Sequence, residues 1–113
     1  MKTSELTGAA LDWAAAKAEG LTYWDDDRLC FANEPHGEDF EPSTDWAQGG
    51  AIIEREIDAI YRTRISTGVV TWEAVAQGDS ECMGYGETPL IAAMRCYVAS
   101  KLGDEIDVPK ELL

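Results

Sequence analysis

The chain has 113 residues, a 45% hydrophobic fraction with four Trp, and 22 acidic against nine basic residues, which gives a net charge of −13. This size predicts a single domain, residues 1–113, and the apolar fraction excludes a disordered chain. The charge argues against direct binding of nucleic acid through phosphate contacts, and no apolar run approaches the roughly 18–20 residues of a membrane span.

Two further features bear on location and redox state. Residues 1–6 lack the apolar core of a secretory signal, which predicts a cytoplasmic protein. The three Cys show no Cys-x-x-Cys spacing, so we expect thiols rather than a disulfide framework or a metal site. Nothing in the pattern indicates a cofactor.

The negative charge is concentrated in one segment of the chain. Residues 25–50 carry eight acidic residues and one basic residue. Such a field attracts basic surfaces, including the DNA-binding face of another protein, although it also serves plain solubility. The residues that form this predicted acidic partner surface are Asp25, Asp26, Asp27, Glu38 and Asp39.

The chain begins with a predicted helix over residues 4–19. Ser4 is its expected cap, Leu6, Ala10 and Trp13 share one face, and Gly20 fits the position after its end. Two short strands follow, at residues 21–24 and 29–32, joined by a turn at residues 25–28. The three Asp in this turn lack the ligand spacing of a calcium loop.

Residues 33–42 form a predicted loop that contains the lone histidine, His36. A second helix is expected from about residue 45 to 56, capped by Ser43 or Thr44 with Asp45 in its first turn. Two adjacent glycines inside it each cost about 1 kcal/mol relative to Ala. Either the helix packs closely against another backbone at these glycines, or the segment is a loop that binds a ligand or partner.

The segment from Ser43 to Gly50 is therefore the first candidate binding site. A carboxylate, an aromatic ring and glycine backbone without side chains can together line a ligand pocket, and an arginine can face a phosphate group of the ligand. Its candidate ligand- or partner-binding residues are Thr44, Asp45, Trp46, Gln48, Gly49, Gly50 and Arg55, with Arg62 as an alternative cation.

Residues 58–77 are explained most economically as a hairpin with its turn at residues 66–68, which places Arg62 and Arg64 on the polar face of the sheet. Residues 77–87 read as a Gly-rich connection. Thr88 then caps the final helix, which Gly103 ends, and an extended tail tucks Ile106 and Val108 against the core. Together these elements predict an α+β fold, in which N-terminal, central and C-terminal helices cover a small antiparallel sheet.

Three stretches of this sequence resemble the NinX-like proteins of lambdoid phages and prophages and, more loosely, the broader phage ABA-sandwich domain. They are residues 1–6 with 10–13, residues 43–50 with 52–56, and residues 88–95. The resemblance runs nearly end to end and implies a phage accessory protein made in the bacterial cytoplasm. It supplies no catalytic residues. The family tends to have Pro after the Gly pair, whereas Ala51 stands here, which favours a longer continuous helix.

Three functions compete at this point. The first is a non-enzymatic protein that binds a host protein, for host takeover or counter-defence, through the acidic surface. The second is a binding protein or sink for a nucleotide-like ligand at Ser43–Gly50. The third is an enzyme with Asp45 or His36 as general base and Cys82 as nucleophile, for which the spacing gives no support. Homo-oligomerisation stays open, since a Trp can anchor an interface.

Overall fold

The computed structural model describes residues 1–35, 37–64, 68 and 70–113, without the side chains of residues 79–81, and this part of the chain contains three α-helices and five β-strands. The α-helices are α1 (Gly8–Glu19), α2 (Trp46–Glu56) and α3 (Pro89–Leu102), and the strands are β1 (Tyr23–Asp25), β2 (Cys30–Ala32), β3 (Ile57–Arg64), β4 (Val70–Ala76) and β5 (Asp79–Gly86). Short 3-10 helices lie at Thr3–Glu5 and Lys110–Leu112.

The strands form two antiparallel sheets, which confirms the predicted α+β class. β1 and β2 make a hairpin in which the rings of Trp24 and Phe31 meet edge to face at 5.0 Å. β3, β4 and β5 form a second sheet in that order. The predicted hairpin of β3 and β4 is present, although part of its turn (Ser66 and Thr67) lies outside the described residues.

The predicted connection at residues 77–87 is wrong, because most of it is strand β5. Gly78, with φ of +76°, supports the tight turn from β4. Gly84 and Gly86 mark close packing rather than a loop. A β-carbon on Gly84 would come 2.5 Å from the Cys96 nitrogen, and one on Gly86 would come 2.7 Å from the Ala92 nitrogen. Glycine therefore lets α3 lie almost directly on the backbone of β5.

Helix α3 is the central element of the core. It packs against all three strands of the larger sheet, and α1 and α2 pack against α3 in turn. Its buried residues cover most of the helix circumference, as expected for a helix packed on several sides. They are Leu90, Ala92, Ala93, Met94, Cys96, Tyr97 and Val98. Helices cover the sheet as predicted, but it is chiefly α3 that does so, and α1 and α2 pack on α3.

The start of α1 differs from its prediction. Thr7 occupies the cap position, and Ser4 lies in the preceding 3-10 helix. Leu6 has extended backbone and is fully buried before the helix begins, so it does not share a helical face with Ala10 and Trp13. Gly20 ends the helix in the left-handed conformation, as predicted.

The predicted orientation of β3 is also wrong, because Arg62 and Arg64 do not occupy the open face of the sheet. Arg62 pairs with Trp72 and Trp72 with Gly86, and α3 covers Gly86. Cross-strand partners share one face, so the arginines lie on the helix side. They stay exposed there, with the Arg62 guanidinium 5.8 Å from the centre of the Trp72 ring.

The two ends of the chain are held together. Lys2 bridges to Glu105, the Thr3 nitrogen donates to Asp104 O at 2.8 Å, and Thr3 Oγ1 donates to Gly103 O at 2.7 Å. Ile106 and Val108 pack against the core from the extended tail, as predicted. None of the helices described has the length and apolar character needed to cross a membrane.

Candidate functional site

The Ser43–Gly50 segment is the start of α2, and Asp45 rather than Ser43 or Thr44 is its cap. Asp45 Oδ1 accepts hydrogen bonds from the Ala47 nitrogen at 2.8 Å and the Gln48 nitrogen at 3.4 Å. The helix continues without interruption through Gly49 and Gly50. This is the continuous helix that Ala51 favours. The carboxylate of Asp45 thus binds backbone donors of its own chain.

Gln48 is also engaged within the chain. Its Nε2 donates to Asp39 O at 2.8 Å, and its Oε1 accepts from the Glu41 nitrogen. The amide thereby ties the loop before α2 to the helix. Gly49 is buried against Pro42 and Leu90, where a β-carbon would lie 2.5 Å from Leu90 Cδ2. Both residues therefore hold the segment in place.

Trp46 is the one aromatic residue of this segment, and 57% of its surface is accessible. It lines a cleft of about 250 Å³ between the N-termini of α2 and α3, together with Ser43, Thr44, Thr88, Leu90 and Ile91. Thr88 Oγ1 is occupied as the cap of α3, accepting from the Ile91 nitrogen at 3.1 Å. The cleft offers an aromatic plane and apolar walls.

Arg55 does not join this cleft. It lies nine residues after Trp46, about 13 Å further along the helix axis. Its guanidinium pairs with Glu19 and, at 3.0 Å, with Glu56, and these hydrogen bonds raise its pKa. The predicted partner for a ligand phosphate is therefore bound to two carboxylates. The structure brings Thr44 and Trp46 together but not Arg55.

Beneath this segment lies a carboxylate that sequence reasoning did not select. Asp12 of α1 accepts a hydrogen bond from the Ser43 nitrogen at 2.9 Å. Burial raises its pKa to about 6, an effect opposed by the hydrogen bond from the Ser43 nitrogen and increased by the charge of Glu41. Asp12 therefore anchors the loop before α2 to the first helix.

Three of the five residues in the predicted acidic surface stabilise the β1–β2 hairpin and the loop after it. Asp25 Oδ1 accepts from the nitrogens of Asp27 and Arg28, at 2.9 and 3.1 Å, and Asp26 Oδ1 accepts from Trp24 Nε1 at 2.7 Å. Asp39 pairs with Arg28. Asp27 and Glu38 are exposed. The segment remains strongly acidic, since one arginine is its sole base.

The residues considered for catalysis do not form one centre within the described part of the chain. Asp45 caps α2, whereas Cys82 lies on the helix side of β5, with its Sγ 3.7 Å from Cys96 O. His36 lies outside the described residues. In the described part of the chain, no group of three or more His, Cys, Asp or Glu is arranged to hold a metal ion.

A further open surface is the face of the larger sheet turned away from α3. Tyr61 of β3 lies opposite Glu73 of β4, which lies opposite Tyr85 of β5. Tyr85 Oη donates to Glu73 Oε1 at 3.1 Å. Tyr61 and Tyr85 are 45% and 49% exposed, whereas Glu73 is only 7% exposed. We call these three residues the tyrosine–glutamate row.

Uncharged side chains extend the open face on both sides of this row. Ala59, Val75 and Met83 form one neighbouring row, and Thr63 and Thr71 form the other. Met83 is 36% exposed. Sequence reasoning missed the face because it assigned Arg62 and Arg64 to the solvent side. The alternation of Thr71, Glu73 and Val75 in β4 is the signal that could have found it.

Comparison with protein-family models gives a match to the family described as "Bacteriophage P22, NinX" over residues 2–101. A search of curated proteins gives no match. The matched range contains α1, α2, both sheets and α3 up to Lys101, and with them all the residues of the candidate surfaces described above.

Proposed function

Since the chain belongs to the phage NinX family and is therefore a phage accessory protein, we propose that it acts by binding a host protein through the open face of its three-stranded sheet. On this proposal it does so without catalysis, as a host-takeover or counter-defence factor in the bacterial cytoplasm. The observation that carries the proposal is the uncovered face itself, with Tyr61, Met83 and Tyr85 exposed.

The composition of this face supports docking of a protein. Tyr and Met are enriched in protein interfaces, whereas charged side chains are depleted from interface centres. On a chain with a net charge of −13, the described side chains of the tyrosine–glutamate row and its neighbouring rows include one charged residue, Glu73. A surface of this kind fits the centre of an interface better than a solvated face.

The acidic segment complements this role. Residues 25–50 carry a net charge of −7. Their field increases the rate at which a basic partner meets the protein, while contact at the sheet face provides most of the affinity. Asp25, Asp26, Asp27, Glu38 and Asp39 are thus proposed to steer the partner rather than to hold it.

The test is capture of the partner with matched surface variants. The tagged protein is purified gently from host lysate and analysed by native mass spectrometry. We expect a stoichiometric complex with the unchanged protein, loss of that complex in Tyr61→Ser/Tyr85→Ser, and its retention in Tyr23→Ser. Tyr23 is an apt control because it is 46% exposed on the other sheet.

Two outcomes contradict this proposal. One is the absence of any stoichiometric complex from both uninfected and phage-infected cells. The other is a complex that survives the double Tyr variant as well as it survives Tyr23→Ser, with all variants folded by circular dichroism.

A second candidate function rests on the exposure of Trp46. Its ring beside the cleft between α2 and α3 can stack a nucleobase, as in a nucleotide-like ligand sink at Ser43–Gly50. A thermal-shift screen of nucleotides tests this role, since a bound ligand raises the melting temperature. Stabilisation that Trp46→Ala abolishes supports it, and no stabilisation by any nucleotide rejects it.

A further inference from the structure

Glu73 is a shielded carboxylate without a basic partner in the described part of the chain. Its side chain is enclosed by the tyrosines on either side, and Tyr85 Oη donates to it at 3.1 Å. The hydrogen bond with Glu73 also raises the pKa of Tyr61, and burial followed by the hydrogen bond with Glu73 raises that of Tyr85. The ion pairs of the described residues involve Arg28, Arg55 and Lys101, none of which reaches Glu73.

The nearest arginines along the chain are on the wrong side of the sheet to neutralise it. Arg62 lies on the helix side, over Trp72, and the Arg64 guanidinium reaches back to Gly68 O at 3.5 Å. Carboxylates removed from water are ordinarily paired with a cation as well as hydrogen-bonded. The open face thus has at its centre a carboxylate, Glu73, that has no cationic partner in the described part of the chain.

The two rings beside Glu73 favour a cation of a particular shape. Tyr61 and Tyr85 are about half exposed, so a side chain approaching from solvent meets the rings before the carboxylate. A guanidinium is planar, stacks on aromatic faces and can donate two parallel hydrogen bonds to one carboxylate. An ammonium group provides a more strongly hydrated point charge and stacks less well.

We propose that Tyr61, Glu73 and Tyr85 form a recognition site for an arginine side chain on the host protein that this chain binds. This inference rests on the proposed function and specifies the chemistry of its partner. The net charge of −13 draws basic surfaces toward the molecule, and the tyrosine–glutamate row then selects an arginine at the centre of the interface. Such a residue matches the Arg and Tyr anchors that dominate interface energetics.

The direct test uses a small arginine probe and does not need the partner. N-acetyl-arginine amide is titrated into the isotope-labelled protein, and N-acetyl-citrulline amide serves as the uncharged control of nearly the same shape. We expect saturable chemical-shift changes at Tyr61, Glu73 and Tyr85 with the arginine probe and none with citrulline. The same changes with both probes, or arginine-induced changes confined to residues 25–39, would overturn the proposal.

Matched variants separate this site from general attraction to an acidic protein. Glu73→Gln keeps the size of the side chain and its capacity to accept from tyrosine, but it removes the charge. We expect it to weaken arginine binding about tenfold, because a charge-assisted pair becomes a neutral one. Glu54→Gln removes one charge from an exposed position on α2 and should leave binding unchanged. Equal effects of the two variants contradict the proposal.

The capture experiment distinguishes failure of this inference from failure of the proposed function. If a partner is lost in Tyr61→Ser/Tyr85→Ser but retained at full yield in Glu73→Gln, the sheet face binds a protein without recognising arginine. If Glu73→Gln fails to fold, the comparison of arginine and citrulline probes on the unchanged protein decides the matter.

Discussion

Gly49 in α2 lies so close to Pro42 that a β-carbon on residue 49 would come within 3.0 Å of the Pro42 carbonyl oxygen. Its neighbour Gly50 has no such contact within 4 Å. The adjacent glycines thus have opposite roles. One permits close packing of the helix on the preceding loop, and the other only weakens the helix.

Alanine at the two positions should therefore change stability in opposite directions. We expect Gly49→Ala to lower the free energy of unfolding by about 1–3 kcal/mol, because Pro42 and Leu90 must move. Gly50→Ala should raise it by about 1 kcal/mol through better helix propensity. Urea denaturation of both variants checks this, and destabilisation of similar size at both sites would contradict it.

Asp12 makes stability depend on pH. Its pKa is about 6 in the folded protein, above the ordinary aspartate value of 3.8, so folding favours the protonated form. Protonated Asp12 therefore stabilises the fold. This stabilisation is fully present below the pKa of Asp12 in the unfolded chain, and it is lost as the pH rises through the pKa of about 6 in the folded protein. Asp12→Asn keeps an acceptor for the Ser43 nitrogen and should raise the free energy of unfolding by about 1–3 kcal/mol at pH 7.

The same variant should have little effect at pH 3.5, where Asp12 is largely protonated in both states. Thermal melts at the two pH values measure the difference. The prediction fails if Asp12→Asn destabilises at neutral pH, since the ionised carboxylate would then be favourable in the fold.

Arg95 ties three segments together from the middle of α3. Its Nε donates to Leu6 O and one terminal nitrogen donates to Tyr85 O, both at 2.8 Å, while burial lowers its pKa. We expect Arg95→Ala to lower the free energy of unfolding by about 2–4 kcal/mol, because two carbonyl groups, one of them on the buried Leu6, lose charged donors. Arg55→Ala is the matched control for that change.

Arg55 makes two ion pairs, but half of its side chain is exposed. Exposed ion pairs contribute about 0–1 kcal/mol each, so the loss of Arg55 should cost less than that of Arg95. Chemical denaturation of both variants ranks them, and an equal or larger loss at Arg55 would refute this assignment.

Local signals in the sequence predicted most of the elements. Thr88 with the following Pro, Gly20 and Gly103 fixed the ends of helices because their preferences act within one turn. The same kind of local signal wrongly predicted a connection where the structure has strand β5. Gly84 and Gly86 look like loop residues until α3, brought in by tertiary packing, explains why they carry no side chain.

The candidate surfaces were harder to predict from the sequence because they also depend on tertiary packing. Which face of β3 is covered depends on where α3 lies, and the alternation of residues 57–64 fits either orientation. The sequence marks Asp45 and Gln48 as candidate binding residues, whereas in the structure both form hydrogen bonds with backbone atoms nearby. Sequence identifies a polar residue readily, whereas only the fold shows whether its hydrogen bonds are already satisfied.

The contact between Thr3 and residues 103 and 104 also bears on how the protein is made. A ribosome completes the N-terminal segment first, yet the hydrogen-bonding partners of Thr3 lie about a hundred residues later. Thr3 therefore cannot make these hydrogen bonds until residues 103 and 104 have been synthesised. This contact between distant segments thus forms only after α3, which precedes Gly103, has been made.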